Sequence, residues 1–232
     1  MRHVLVLIHS PSVGPRTWQP AARSLGALRR PVIVPNLLRV TAAAGPPFWP
    51  PVVAAVRDAL AEVPEDRPVI LVTHSNGGLF VPVIRRGLRH PVAASVFVDA
   101  ALPARSGDTP VAPAEFLPAL RGLAGPDGLL PPWTDWWGEE DIAPLFPDAV
   151  TRAEVSAEQP RLPLSYYEQS VPVPAGWDDH SCAYLLFGPA YEAEAAEARA
   201  RGWAVAHEPG AHLHQLVDPD AVARRIVELS SA

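Results

Sequence analysis

The sequence VILVTHSNGGLF, at residues 69–80, runs from an apolar stretch through one serine into a pair of glycines. Its first four residues have the composition of a buried strand, and a helical pattern follows the glycines. A strand that passes so quickly into a helix needs a very tight turn, which holds Ser75 in a strained conformation with its hydroxyl pointing away from the sheet. Thr73 and Gly77 supply small residues two positions on either side, where the strand and helix backbones nearly touch. The stretch therefore predicts a strand, an exposed serine and a helix.

This stretch has two other interpretations. Ser75 could instead cap the start of a glycine-rich helix, with no chemical role. A phosphate-binding loop is excluded, because the motif G-x-x-x-x-G-K-[ST] is absent and the chain contains no lysine.

Strand-like and helical patterns alternate along most of the chain. The strand-like runs are short and rich in Val, Ile and Leu, and they lie at 4–8, 32–34, 69–72, 96–98, 183–187 and 204–207. The helical patterns lie at 18–28, 52–60, 79–87, 192–201 and 221–229. This alternation predicts an α/β fold, with a mostly parallel sheet of about six strands and helices on both faces.

The turn at Ser75 resembles the nucleophile elbow of the α/β-hydrolase superfamily, usually written G-x-S-x-G, with Thr73 in place of the first glycine. The order of the remaining segments is similar to that of the superfamily's small serine esterases and hydroxynitrile lyases. The resemblance implies an α/β-hydrolase fold with an inserted cap, no cofactor, and a site at the carboxyl ends of the strands.

The alternation stops at 103–174, a stretch rich in proline, glycine and tryptophan. A connection of roughly 70 residues is too long for a plain loop in a compact domain. Because α/β-hydrolases carry their cap at this place, the resemblance implies a core of residues 1–102 and 175–232 with a cap at 103–174. A disordered loop is the alternative, although clustered aromatic residues need a surface to be buried against. Four aromatic residues of this stretch are candidates for the lining of an acyl pocket, namely Trp133, Trp136, Trp137 and Tyr167. A purely structural core of the cap is the alternative role.

A serine hydroxyl is a weak nucleophile until a base takes its proton, so a histidine must lie nearby. The segment around His212 resembles the G-x-G-H…P segment that carries the catalytic histidine of the superfamily, and Pro219 follows at the familiar spacing of seven. His214 is the second candidate, with lining of the pocket or capping of the last helix as its other role. An H-x-H metal site is disfavoured because no third ligand is evident. His74, within the elbow, is expected to pack beneath the following helix.

The third member of such a triad is a carboxylate that orients the histidine. The superfamily usually places it about three residues after a glycine that follows the next-to-last strand, but Tyr191 occupies that place here. Some members place it one strand earlier, which points to Asp99 at the end of an apolar strand. Glu192 and the pair Asp178 and Asp179 stay open, and a structural role for Asp99 also stays open.

Hydrolysis also needs two N–H groups aimed at the developing oxyanion. The resemblance implies that one comes from Asn76, at the start of the helix after the nucleophile. The other should come from the loop after the first strand, where Pro11 stands at the usual donor position and has no N–H. Ser12 or the Ser10 hydroxyl would then donate, or the hole is incomplete as in a lyase.

The composition excludes several classes of function. A formal charge of −6 and a pI near 5.7 argue against a nucleic-acid partner. The single Cys182 excludes an internal disulfide and multi-cysteine metal sites, and we expect it to be buried. The apolar run at 4–8 is too short for a signal peptide, and no run approaches the roughly 20 residues of a membrane span. We therefore expect a cytoplasmic protein without a membrane partner, either a monomer or a homodimer.

These features predict a serine hydrolase that cleaves a small, fairly apolar ester, lactone or thioester through an acyl-enzyme on Ser75, with His212 as base and Asp99 as acid. A lyase or cyclase that uses the same triad without an acyl-enzyme is one alternative. A catalytically silent binding protein with this fold is the other.

Overall fold

The computed structural model describes residues 3–42 and 45–230. Six parallel strands form the main sheet, in the order β2-β1-β3-β4-β7-β8, and β5 and β6 pair in an antiparallel sheet of their own. The predicted sheet is thus confirmed. The strands are β1 Val4–Ile8, β2 Val32–Ile33, β3 Val69–Ser75, β4 Val92–Ala100, β5 Gly107–Pro110, β6 Ser170–Val173, β7 Ser181–Leu186 and β8 Ala204–His207.

Helices connect the strands of the main sheet and cover both of its faces. The last of them, α10, begins where the Asp218 carboxylate accepts the N–H of Ala221 and Pro219 stands at the first helical position. The helices are α1 Gln19–Ala27, α2 Trp49–Ala59, α3 Val81–Gly87, α4 Leu117–Leu123, α5 Glu139–Ile142, α6 Ala149–Glu158, α7 Leu164–Glu168, α8 Glu192–Ala200, α9 His214–Val217 and α10 Pro219–Leu229.

The core lies in two layers, because successive residues of a strand point to opposite faces of the sheet. Val6 and Leu71 face the layer formed with α2, α3 and α8. Leu5 and Val72 face the layer formed with α1 and α10. Burial of each such side chain contributes about 1.5–3 kcal/mol, so a strand that is apolar at every position has favourable packing on both faces.

The segment between β4 and β7 carries β5 and β6 at its two ends, with α4 to α7 between them. It is packed, since Leu120, Leu130, Leu162 and Tyr166 are buried in the layer of α2, α3 and α8. The division of the chain into a core and a cap at 103–174 stays a prediction. Within the described residues, each helix is too short or too polar to cross a bilayer.

Candidate active site

β3 ends at Ser75, whose backbone has φ 55° and ψ −136°. A residue other than glycine in such a conformation stores about 1–3 kcal/mol of strain, which the surrounding structure must hold in place. The next residues, Asn76–Phe80, form a 3-10 helix that continues into α3. The predicted turn is therefore present, with Ser75 at its tip, beyond the carboxyl end of the sheet.

Glycines allow the turn to pack this closely. A Cβ atom on Gly77 would lie 3.0 Å from the carbonyl oxygen of Ile8 on the neighbouring strand. A Cβ atom on Gly78 would collide with the main-chain oxygen of Ala101. Gly78 lies one position beyond the G-x-S-x-G pattern, so the strictest steric requirement of this elbow falls outside the motif that identified it.

Asp99 lies on β4, beside the nucleophile strand, at an irregularity in the sheet. The pairing of β3 with β4 shifts by one residue there, so that Ser75 lies opposite Ala100 and Asp99 is the extra residue, with φ 42°. Such a bulge turns a side chain away from its regular direction. The carboxylate is 1% exposed, and its Oδ1 accepts the N–H of Phe187 at 3.0 Å.

His212 lies in the loop between β8 and α9 and contacts Asp99 directly. Its Nδ1 donates to Oδ2 of Asp99 at 2.7 Å. The main chain of the loop is also anchored, because Nε2 of His74 donates to the carbonyl oxygen of His212 at 2.8 Å. His212 is therefore fixed both through its ring and through its backbone, and its Nε2 is the nitrogen that can accept a proton.

The other candidate acids lie elsewhere. Glu192 is exposed at the start of α8, and Asp179 is also exposed. Asp178 lies 4.0 Å from Arg201. Among the described residues, Asp99 alone of these carboxylates is hydrogen-bonded to His212.

Ser75 and His212 open into a shared cavity of about 500 Å³. The Ser75 Oγ lies 3.4 Å from the hydroxyl of Tyr191. The ring of Tyr191 stacks on the imidazole of His212, with 5.2 Å between centroids and 17° between planes. Tyr191 was noted in the sequence only because it stands where the acid was expected, and its contacts with both residues could not be anticipated.

The loop after β1 presents one of its two serines to the cavity. Ser12 lines the cavity together with Asn76. Ser10 is buried behind it and its hydroxyl is 2.8 Å from that of Ser12. The N–H of Ser12 lies 3.5 Å from the Ser10 Oγ. Because this contact is long for a hydrogen bond, the N–H is available to a stronger acceptor.

Six aromatic side chains contribute to the cavity wall. The predicted Trp133, Trp136, Trp137 and Tyr167 all line it. Sequence reasoning did not identify the other wall residues, which carry no motif and become neighbours only in the folded chain. They are Phe116, Asp141, Ile142, Leu145, Ala190 and Tyr191.

His214 does not share this cavity with the other candidates. Its ring packs against Phe187, with 5.5 Å between centroids, and against Gly210. Among the described residues that line the cavity, neither His214 nor Ser10 is found. His214 therefore contacts Phe187 and Gly210, and Ser10 contacts Ser12, without reaching the cavity.

Two buried histidines beneath the site are uncharged. Burial lowers the pKa of His9 to about 4, and its ring bonds the main chain of Ser10 and Leu37. Burial, with the nearby His212, also holds the pKa of His74 well below its usual range. His74, which was expected to pack beneath the helix, is buried, and its ring lies 4.5 Å from that of His212 and edge-on to Trp18. A neutral His74 adds no positive charge beside His212.

Cys182 is buried as expected, and burial raises its pKa to about 12. Over residues 3–42 and 45–230, no three His, Cys, Asp or Glu side chains are grouped as metal ligands would be.

Comparisons with solved structures agree with this architecture. An extracellular α/β-hydrolase from a Paenibacillus species, described as homologous to tobacco salicylic acid binding protein 2, is 17% identical over 98% of both chains, with a TM-score of 0.76. A pyrethroid hydrolase from Sphingobium faniae is 19% identical over 100% of this chain and 98% of its own, with a TM-score of 0.72. A variant of tomato methylketone synthase I, complexed with β-ketoheptanoate, is 13% identical over 99% and 97%, with a TM-score of 0.76. At these identities the likeness is one of fold.

The comparison with curated proteins finds no match. The family model described as the alpha/beta hydrolase family matches residues 5–225, which include the elbow, the strand of Asp99 and the loop of His212. This chain belongs to the α/β-hydrolase family.

Proposed function

We propose that the protein is a serine hydrolase that cleaves a small, fairly apolar ester, lactone or thioester. The observation that carries the proposal is the 2.7 Å hydrogen bond between His212 and the buried carboxylate of Asp99, in a cavity that Ser75 also lines. A carboxylate held on Nδ1 selects the imidazole tautomer in which Nε2 accepts a proton, and it stabilises the imidazolium that follows.

In the proposed reaction the Oγ of Ser75 attacks the carbonyl carbon while Nε2 of His212 takes its proton. The tetrahedral intermediate collapses to an acyl-enzyme, and the leaving alcohol or thiol departs with that proton. Water then attacks the acyl carbon, again with His212 as base. Proton return to Oγ releases the carboxylic acid and restores Ser75.

We further propose that the main-chain N–H groups of Asn76 and Ser12 hold the oxyanion. Each is worth about 10²–10³-fold in rate when it is aimed at the developing charge. The position of both residues on the cavity wall supports this assignment, and so does the long 3.5 Å contact of the Ser12 N–H.

The substrate class follows from the wall of the cavity. Its volume of about 500 Å³ suits a small molecule, and the indole rings of Trp133, Trp136 and Trp137 offer an apolar surface for an acyl or alcohol group. All three belong to 103–174, which we propose as a cap that sets specificity. Two fold relatives bear the names pyrethroid hydrolase and polyneuridine aldehyde esterase, in keeping with ester substrates.

A lyase that uses the same residues without an acyl-enzyme is the second candidate. Pro11 favours it, because it removes the usual oxyanion donor of the loop after β1. The silent binding protein has less support, since an acid is bonded to His212. The two enzymatic candidates differ in whether Ser75 becomes covalently modified.

The test is to incubate the protein with a fluorophosphonate and measure its intact mass. We expect one adduct on the wild type and none on Ser75→Ala or His212→Ala. Ser24→Ala is the matched control, because Ser24 lies on the surface and bonds Asp220, and it should be labelled like the wild type. A folded wild type that forms no adduct would contradict the hydrolase and favour the lyase or the binding protein.

A further inference from the structure

Tyr191 stands at the place where the acid of the triad was expected. It ends the 3-10 turn Pro189–Tyr191, three residues after Gly188 and directly beyond β7. The carboxylate comes instead from Asp99 on the neighbouring strand β4. A side chain therefore reaches the site from the loop after β7 without being needed as the acid.

Both members of the proton-transferring pair touch this side chain. Its hydroxyl lies 3.4 Å from the Oγ of Ser75, and its ring covers one face of the His212 imidazole at 5.2 Å. The His74 ring, at 4.5 Å, and the Trp133 ring, at 5.9 Å, pack against the same imidazole. Three aromatic rings thus pack around the imidazole. Of these three, Tyr191 is the one whose hydroxyl also contacts the Oγ of Ser75.

A neutral side chain suits this place better than a second acid. Burial raises the pKa of Tyr191 to about 12, and the Asp99 and Glu194 carboxylates add to the effect, so the phenol stays protonated. Burial likewise raises the pKa of Glu194, with a smaller contribution from Asp99. Another carboxylate here would add a negative charge in a buried region, where burial and the nearby Asp99 carboxylate already disfavour it.

We propose that Tyr191 is a positioning residue for the Ser75–His212 pair: its ring fixes the plane of the imidazole, and its hydroxyl holds the serine Oγ in the orientation for proton transfer. The proposal rests on the proposed hydrolase function of the same site. An O–H···O distance of 3.4 Å is long for a hydrogen bond, so the contact orients the Oγ and yields when a substrate carbonyl arrives.

The ring has a separate effect on the charged state of the imidazole. An aromatic face attracts a cation, so Tyr191 favours the imidazolium that forms when His212 takes the serine proton. The titratable groups that face His212 in the described structure are Asp99 from β4, His74 from β3 and Tyr191 itself. Asp141 lines the same cavity. Because Asp99 and His74 are unchanged in a Tyr191 variant, the contribution of the ring can be measured by difference.

Two substitutions separate the hydroxyl from the ring. Tyr191→Phe keeps the stacked ring and removes the hydroxyl. Tyr191→Leu removes both but keeps an apolar side chain over His212, so that water does not replace the ring. Each variant is compared with the wild type in thermal unfolding, in the rate of fluorophosphonate labelling, and in the pH dependence of kcat and KM. The ring-nitrogen signals of His212 are followed separately by ¹⁵N NMR in a Ser75→Ala background.

We expect Tyr191→Phe to lower the labelling rate and kcat by about 2- to 10-fold, with KM and the ring-nitrogen signals of His212 unchanged. Tyr191→Leu should also change those signals, because the stacked ring is lost. Variants that label at the wild-type rate and keep the wild-type His212 signals would overturn the proposal. A wild type that does not label would instead overturn the hydrolase function, while the NMR spectra would still test the contact of the ring.

Discussion

Replacement of Asp99 by asparagine tests the triad most directly, because the surroundings of Asp99 dictate how the amide must sit. Oδ1 of Asp99 accepts the N–H of Phe187, and Oδ2 faces Nδ1 of His212. An asparagine can satisfy Phe187 only with its carbonyl oxygen, which turns its NH₂ group toward His212. The imidazole must then accept at Nδ1 and carry its proton on Nε2. That tautomer cannot take a proton from Ser75.

The expected loss is large. A wrong tautomer in an otherwise intact triad lowers kcat by about 10³- to 10⁴-fold. At about 1.4 kcal/mol per tenfold, this corresponds to about 4–5.5 kcal/mol of transition-state stabilisation. Asparagine tolerates a positive φ and keeps the bond from the Phe187 N–H, so the fold should be retained.

The assay compares kcat and the fluorophosphonate labelling rate of Asp99→Asn with those of Glu192→Gln. The second variant is the matched control, because Glu192 is exposed and was the other candidate acid. The control should keep wild-type activity, and both variants should unfold near the wild-type temperature. An Asp99→Asn variant that keeps more than about a tenth of the activity would contradict the role of Asp99, and so would loss of activity in Glu192→Gln.

Three further predictions concern stability and specificity. Gly78→Ala should lower the free energy of unfolding by about 1–3 kcal/mol, because its Cβ collides with the Ala101 carbonyl; an unchanged urea midpoint would contradict this. His9 binds a proton near pH 6.5 in the unfolded chain but only near pH 4 in the folded chain. The free energy of unfolding should therefore fall by about 3 kcal/mol as the pH drops from 6.5 to 4, and urea titrations should find a smaller loss in His9→Gln. Trp137→Leu should remove the stack with Phe116 and so raise the KM for esters with an aromatic acyl group about 2- to 10-fold. The KM for the acetyl ester of the same alcohol should not change.

The arrangement of the sheet could be predicted from the sequence because its signals are local. The Val- and Ile-rich runs and the glycine-flanked Ser75 each report on a few neighbouring residues, and the right-handed rule for parallel connections restricts how they assemble. The boundaries were less exact. β4 extends from Val92 to Ala100, well beyond the predicted 96–98, because its outer residues gain strand pairing from β3 and β7. Pairing of that kind joins distant parts of the chain and leaves no local pattern.

The candidate site could be predicted only in part, for a related reason. The choice of Asp99 over Glu192 depended on which carboxylate reaches His212, and the register shift that directs Asp99 involves two strands at once. The positive φ at Asp99 has no sequence signature either, since aspartate is common in many backbone conformations. The cavity wall is harder still to predict, because Phe116 and Trp137 lie apart in a segment without regular periodicity and stack only in the folded chain.

The position of the acid affects how rigidly the site is built. With Asp99 on β4 and Ser75 on β3, the proposed nucleophile and acid stand on adjacent hydrogen-bonded strands, and the N–H of Ala101 bonds the Ser75 carbonyl at 3.1 Å. Their separation is therefore fixed by the sheet, whereas an acid on the loop after β7 would depend on that loop. Only His212 comes from a loop, and it is tied to both strands, to Asp99 through its ring and to His74 through its carbonyl. Because elements of the sheet hold a site more accurately than loops do, Asp99 on β4 would keep the alignment that the proposed proton transfer requires.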